Sequence, residues 1–243
     1  MSQHDPQPRT PRLDRRSLLF GGGALGASGL LAARAGAATS SSAAGLSPAR
    51  DIDPQAMGLL QGSCTLTASD VQGPFWLDLG LVRTDITEGY PGVPLRTYFR
   101  VLDASSCAPI EGAAVDVWHC EALGAYSGFQ SRGTQGLTFL RGIQLTDANG
   151  IAFFDTVYPG FYVGRTAHVH VKITPHPGSE LTTQIYFPQS VNDRIYGLPP
   201  YDQNTNPQVT NSADGFYDPA REFDLRRDPN GNGILGGFTV VVA

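Results

Sequence analysis

The chain has 243 residues, of which 41% are hydrophobic and 16% charged, with 29 glycines, 18 prolines and a formal net charge of −5. That length suffices for one well-buried domain once the N-terminal segment is set aside, and the acidic balance leaves no basic patch for nucleic acid to read. After residue 37 no stretch is apolar for the roughly 20 residues that a membrane-crossing helix needs.

In chain order, Asp14-Arg15-Arg16-Ser17-Leu18-Leu19-Phe20 opens with an arginine pair, followed by a glycine-rich apolar run to Leu31 and then Ala35-Gly36-Ala37. This pattern predicts a twin-arginine signal peptide over residues 1–37, and hence an exported protein, secreted or in the cell envelope, with no stable membrane anchor after cleavage. An ordinary signal peptide or an uncleaved anchor fits less well, because glycine dilutes the run and shortens it. Cleavage removes five arginines and two aspartates, leaving a net charge of about −8. Residues 38–58 read as a solvated Ser/Ala/Pro linker and residues 59–243 as the folded domain.

The three cysteines, Cys64, Cys107 and Cys120, lack the Cys-x-x-Cys spacing of a zinc site, and export allows one disulfide. A hairpin of residues 98–104 with 113–120 would put Cys107 near its turn and Cys120 at its far end, roughly 20 Å away by strand rise. Cys64 with Cys107 is therefore the preferred pair.

From residue 95 onward, short strands alternate with turn residues. Leu95–Leu102 leads through Pro109-Ile110-Glu111-Gly112 to Ala114–Trp118, and Gly142–Leu145 leads through Asp147-Ala148-Asn149-Gly150 to Ile151–Phe154. Pro159-Gly160 precedes Phe161-Tyr162 and the segment Arg165-Thr166-Ala167-His168-Val169-His170-Val171; Leu181–Phe187 and Phe238–Val242 complete the strands. With no sustained helical period, the fold class is all-β, an antiparallel sandwich of prealbumin-like type. Pro188–Gly233, rich in Asn, Asp, Pro and Gly, is expected to wrap it as long loops with at most short helices.

Residues two apart on a strand share a face, so His168 and His170 should project together as half a metal site. Either Tyr126 or Tyr162 alone is what a half-buried aromatic in a β-protein is expected to be. Taken with His-x-His they form a pattern, and here the chain resembles the intradiol ring-cleavage dioxygenases, the non-haem ferric family of catechol and protocatechuate dioxygenases. The resemblance covers about residues 62–190. It rests on Gly112–Trp118 running to Gly124-Ala125-Tyr126, on Thr146–Gly150, Pro159–Tyr162, Arg165–His170 and Thr183–Phe187, and on Gly73-Pro74-Phe75-Trp76 near the substrate mouth.

The resemblance implies one Fe(III) per chain, held by Tyr126 and His168 as equatorial ligands and by Tyr162 and His170 as the axial pair, with Tyr162 leaving when a catechol binds. It implies catalytic roles for Arg165, Tyr162 and Gln184, with Arg165 and Gln184 also contacting substrate. Phe75 and Trp76 are candidate apolar walls, and Arg132 and Arg141 are candidates for recognising a ring carboxylate. His119 and His176 match no ligand position. The donor set suits the metal: phenolate is a hard anionic donor for a hard cation, and two tyrosinates with one hydroxide balance three positive charges, so the site can sit inside a sandwich. A ferrous facial triad needs a carboxylate, but Asp147 and Asp155 are better explained as turn and strand-end residues. Only Val163 and Gly164 separate Tyr162 from Arg165, which implies an open pocket that accepts bulkier catechols. The expected partners are a catechol-type substrate and O2, and the expected products are cis,cis-muconates. An extracellular sandwich module that binds a ligand or cell wall without catalysis has the same turn-rich strands; the four ligands and Arg165 separate the two readings.

Overall fold

A computed structural model describes Met57, Leu59 and residues 64–229 and 231–243. The twin-arginine segment and, Met57 apart, the linker expected over 38–58 lie outside the described residues. Met57 itself is buried with Leu59 against Tyr98, Ile151 and Leu235.

The described chain forms eight strands: β1 (Pro94–Asp103), β2 (Ala114–Trp118), β3 (Arg141–Leu145), β4 (Ile151–Val157), β5 (His168–His176), β6 (Ser179–Tyr186), β7 (Asp224–Arg227) and β8 (Ile234–Val242). They make two four-stranded sheets, β3-β2-β5-β6 and β4-β1-β8-β7. This is the all-β sandwich expected, with one difference: β8 lies parallel to β1, whereas the other pairings are antiparallel. A parallel neighbour needs a long crossover, and the wrapping segment between β6 and β8 supplies it. That segment contains one short helix, α1 (Gln189–Ile195), several single 3-10 turns and, beyond the loops and short helices expected there, the edge strand β7. No helix among the described residues is long and apolar enough to cross a membrane.

The expected hairpin of residues 98–104 with 113–120 does not form. β1 pairs with β4 and β8, and β2 pairs with β3 and β5, so the two segments lie in different sheets. β1 buries both of its faces over most of its length, which a pattern of solvent-facing alternation could not reveal. The disulfide is nevertheless Cys64–Cys107, with Cα atoms 5.6 Å apart, and Cys120 is free and buried.

Alternation along β5 determines where chemistry can occur. Val169, Val171 and Ile173 join Val115, Val117 and Ile185 in the main core, opposite Leu95, Phe99, Val101 and Phe154 of the second sheet. His168 and His170 therefore face away from the sandwich interior. They share the outer face of their sheet with Trp118, Gln184 and Tyr186, which stand beside them in register. The site thus lies beneath connecting loops on the outside of one sheet, because the branched apolar side chains fill the space between the sheets.

Candidate metal centre

Four donor atoms from three segments meet on this face. The Nε2 atoms of His168 and His170 are 3.2 Å apart, and the Oη atoms of Tyr126 and Tyr162 stand 3.4 and 3.5 Å from His168 Nε2. Bonds of about 2.1 Å to a first-row metal put ligand atoms about 3.0–3.6 Å apart at angles between 90° and 120°, so these separations suit one shared cation.

Each donor is aimed by its surroundings. His168 Nδ1 lies 2.7 Å from the Thr166 carbonyl; it must donate there, leaving the Nε2 lone pair for the site. The ring of His170 stacks on Trp118, 5.0 Å between centroids and 6° between planes. Gly73 crosses it so closely that a Cβ would lie 3.3 Å from its Cε1. His170 Nδ1 is buried without a hydrogen-bond partner. Tyr126 follows a loop held by Glu121, whose carboxylate accepts from the backbone N–H groups of Leu123 and Ala125 at 2.8 Å. Gly124 there has φ +90°, and a Cβ would lie 2.4 Å from the Phe161 carbonyl oxygen, so only glycine fits. That same close approach brings the Tyr162 segment alongside. A tight turn, closed by Arg165 N–H donating to the Tyr162 carbonyl at 2.9 Å, then leads into β5.

Burial pushes the pKa of Tyr126 well above its ordinary value and raises that of Tyr162. It lowers His168 to about 3, with help from Arg165, and drives His170 well below its usual range. The four groups are therefore neutral by themselves, with lone pairs converging. A bound cation reverses the balance by holding phenolates deprotonated. Among the described residues no group of three or more His, Cys, Asp or Glu side chains could hold a metal, so zinc-type and facial-triad donor sets are not assembled there. Asp147 accepts from Asn149 and Ile151 N–H groups in its turn, and Asp155 pairs with Arg96 on the other sheet. Two imidazoles with two hard phenol oxygens fit ferric iron.

The remaining predicted residues divide. Arg165 is beside the cluster, its Nη1 3.4 Å from Tyr162 Oη, and its Nη2 donates to Gln184 Oε1. Phe75 stacks on Tyr126 at 4.4 Å and meets Tyr162 edge-on, as a wall should. The indole of Trp76 is turned to Asp116, donating at 2.9 Å, with the Lys172 ammonium 4.5 Å from its ring; it anchors the Phe75 segment to the sheet. Arg141 is spent on structure, donating to Ser127 Oγ, the Ser127 carbonyl and the Phe75 carbonyl. Arg132 is exposed, 5.7 Å from the Phe75 ring. His119 is buried between the Cys120 carbonyl and Thr156 Oγ1, and His176 is exposed at the end of β5, so neither belongs to the cluster. Sequence reasoning missed Trp118, Tyr186, Asp214 and Phe216. Trp118 and Tyr186 were signalled by strand parity with the histidines, whereas Asp214 and Phe216 come from the wrapping segment and carry no local signal.

Residues 73–199 match the protein family described as Dioxygenase. The chlorocatechol 1,2-dioxygenase of Rhodococcus opacus is 30% identical over 151 residues, covering 52% of this chain and 58% of the relative. The chain spans about half the length of the curated relatives it matches. An intradiol ring-cleavage dioxygenase from Tetranychus urticae superposes with a TM-score of 0.68 at 29% identity, covering 73% of this chain and 94% of that one. The dioxygenase domain of a dioxygenase carbohydrate-binding protein fusion from the cellulolytic bacterium Streptomyces sp. SirexAA-E gives 0.57 at 34% identity, covering 74% and 100%.

Proposed function

This chain belongs to the intradiol ring-cleavage dioxygenase family, and on that premise we propose that it is an exported, Fe(III)-dependent dioxygenase. It opens catechol-type aromatics between their two hydroxyl-bearing carbons with O2, giving cis,cis-muconate-type products. The observation that carries this reading is the approach of two phenol oxygens and the His170 nitrogen to within 3.2–3.5 Å of His168 Nε2, with Arg165 beside them. The arginine pair at Arg15-Arg16 supports export.

Tyr126, Tyr162, His168 and His170 would hold ferric iron, which would supply Lewis acidity toward a catechol-type substrate. The protein's part follows from burial. Tyr126 is fully enclosed, whereas Tyr162 is half-buried, so Tyr162 is the phenol free to swing away and take up a catechol proton at Oη. Arg165 then has its Nη1 edge where negative charge develops on the substrate. Phe75 offers a flat wall to an aromatic ring. The two-residue turn at Val163-Gly164, both exposed, leaves room for larger ring substituents.

Purified protein is expected to be wine-red from tyrosinate-to-iron charge transfer, to change colour with catechol and to consume O2. Tyr126→Phe and His168→Ala should each lose iron and lower oxygen uptake at least about a hundredfold. Colourless protein that never takes up O2 removes the enzymatic reading, and retention of iron and activity by both variants removes the ligand assignment.

A further inference from the structure

Arg165 is restrained from several directions, by residues inside the matched span and by two beyond it. Its Nε faces both carboxylate oxygens of Asp214 at 3.1 and 2.9 Å, and its Nη2 lies 3.2 Å from Tyr186 Oη in addition to Gln184 Oε1. The ring of Phe216, 43% exposed, covers the guanidinium with its centroid 4.7 Å from Cζ. Asp214 and Phe216 both follow residue 199, where the family match ends.

Their segment is itself fastened. The Asp214 side chain is wholly buried and accepts from the Thr166 and Phe216 N–H groups at 3.0 Å. The Phe216 carbonyl accepts from Tyr186 Oη at 2.9 Å and Arg221 Nη2 at 2.8 Å. Asn211 docks onto the start of β5, its Oδ1 accepting from Thr166 Oγ1 at 2.9 Å. A guanidinium carries five N–H donors on a flexible stem. Here three of the five are committed to Asp214, Gln184 and Tyr186, one flat face is covered, and the Nη1 edge is left toward Tyr162.

We propose that Asp214 and Phe216 are positioning residues that fix the guanidinium of Arg165 with its Nη1 edge toward the bound catechol. Preorganised donors stabilise developing charge without reorganising during reaction, and a misplacement of about 1 Å can cost about a hundredfold in rate. This inference rests on the dioxygenase reading of the site.

The test compares Asp214→Asn, Phe216→Ala and Phe216→Tyr, each alone and in an Arg165→Ala background, in the iron-loaded full chain. Iron content and the visible band should stay as in the parent protein. Oxygen uptake with catechol should fall roughly tenfold to hundredfold in Asp214→Asn, less in Phe216→Ala, and recover in Phe216→Tyr, which keeps the flat face. Affinity for 4-nitrocatechol without O2 should weaken in the single variants and not weaken further when they are added to Arg165→Ala. Parent-like rates, or equal losses with and without Arg165, overturn the proposal. Should Asp214→Asn not fold, the two Phe216 variants decide the same question. If the parent chain consumes no O2 with any catechol, the functional reading falls, and a crystal structure of Asp214→Asn still decides the positional claim: a displaced guanidinium upholds it and an unmoved one overturns it.

Discussion

His119 shows how one buried residue ties stability to pH without taking part in chemistry. Its Nδ1 donates to the Cys120 carbonyl at 2.9 Å, which leaves Nε2 to accept from Thr156 Oγ1 at 2.7 Å. Both contacts use the neutral ring, and burial lowers its pKa to about 4. The unfolded chain therefore binds a proton here near pH 6.5 that the folded chain refuses until about pH 4. Stability conferred by the neutral ring is complete above pH 6.5 and is lost as pH falls toward 4, by up to about 3 kcal/mol. Urea midpoints at matched iron loading should drop across that window, and His119→Gln should flatten the slope by about one proton. An unchanged slope would remove His119 from the account.

At the scale of elements, the donors are delivered by loops whose shapes depend on a few close approaches. Gly124 turns the connection after β2 so that the Phe161 carbonyl passes within 2.4 Å of where a Cβ would be. Gly160 allows the reciprocal approach, its would-be Cβ lying 2.2 Å from the Ala122 carbonyl oxygen. Tyr126 and Tyr162 meet because these two backbones nearly touch. Gly124→Ala should cost about 1–3 kcal/mol through its positive φ and this contact. It should lower iron occupancy more than it lowers the unfolding midpoint, since the sheets do not depend on it. Iron stoichiometry read beside thermal unfolding checks the ranking; full iron content in a destabilised variant would contradict it.

At the scale of the molecule, the Cys64–Cys107 bridge ties the segment ahead of β1 to the connection between the two sheets, across 43 residues. Restricting the unfolded chain this way contributes about 2–4 kcal/mol. The pair Cys64→Ser with Cys107→Ser should therefore melt several degrees lower while keeping the red colour below its midpoint, because neither cysteine supports the donor cluster. Cys120 should not substitute in the bridge: burial raises its thiol pKa far above the ordinary range, so it should resist alkylation until the protein unfolds. Rapid labelling of native protein would refute this.

The strand pattern and the shared face of His168 and His170 were legible in the sequence, because they depend on local periodicity and turn chemistry. The two tyrosines came from the family resemblance, and the Cys64–Cys107 pair was right although the hairpin behind that choice does not form. Sheet membership was not legible. β1 and β2 were expected to form a hairpin, but both faces of β1 are buried, so alternation could not report its neighbours. Nor could the sequence tell which side of the sheet would carry the histidines' site. Val169, Val171 and Ile173 decided that by filling the core, sending His168 and His170 outward. Trp76, a candidate wall through the Gly73-Pro74-Phe75-Trp76 resemblance, turned instead to Asp116, because the turn at Pro74-Phe75 sends the two rings to different neighbours. Asp214 and Phe216 were invisible for a different reason: their contacts with Arg165 span about fifty residues of sequence through a loop without periodicity, and only the tertiary path of the chain brings them to the site.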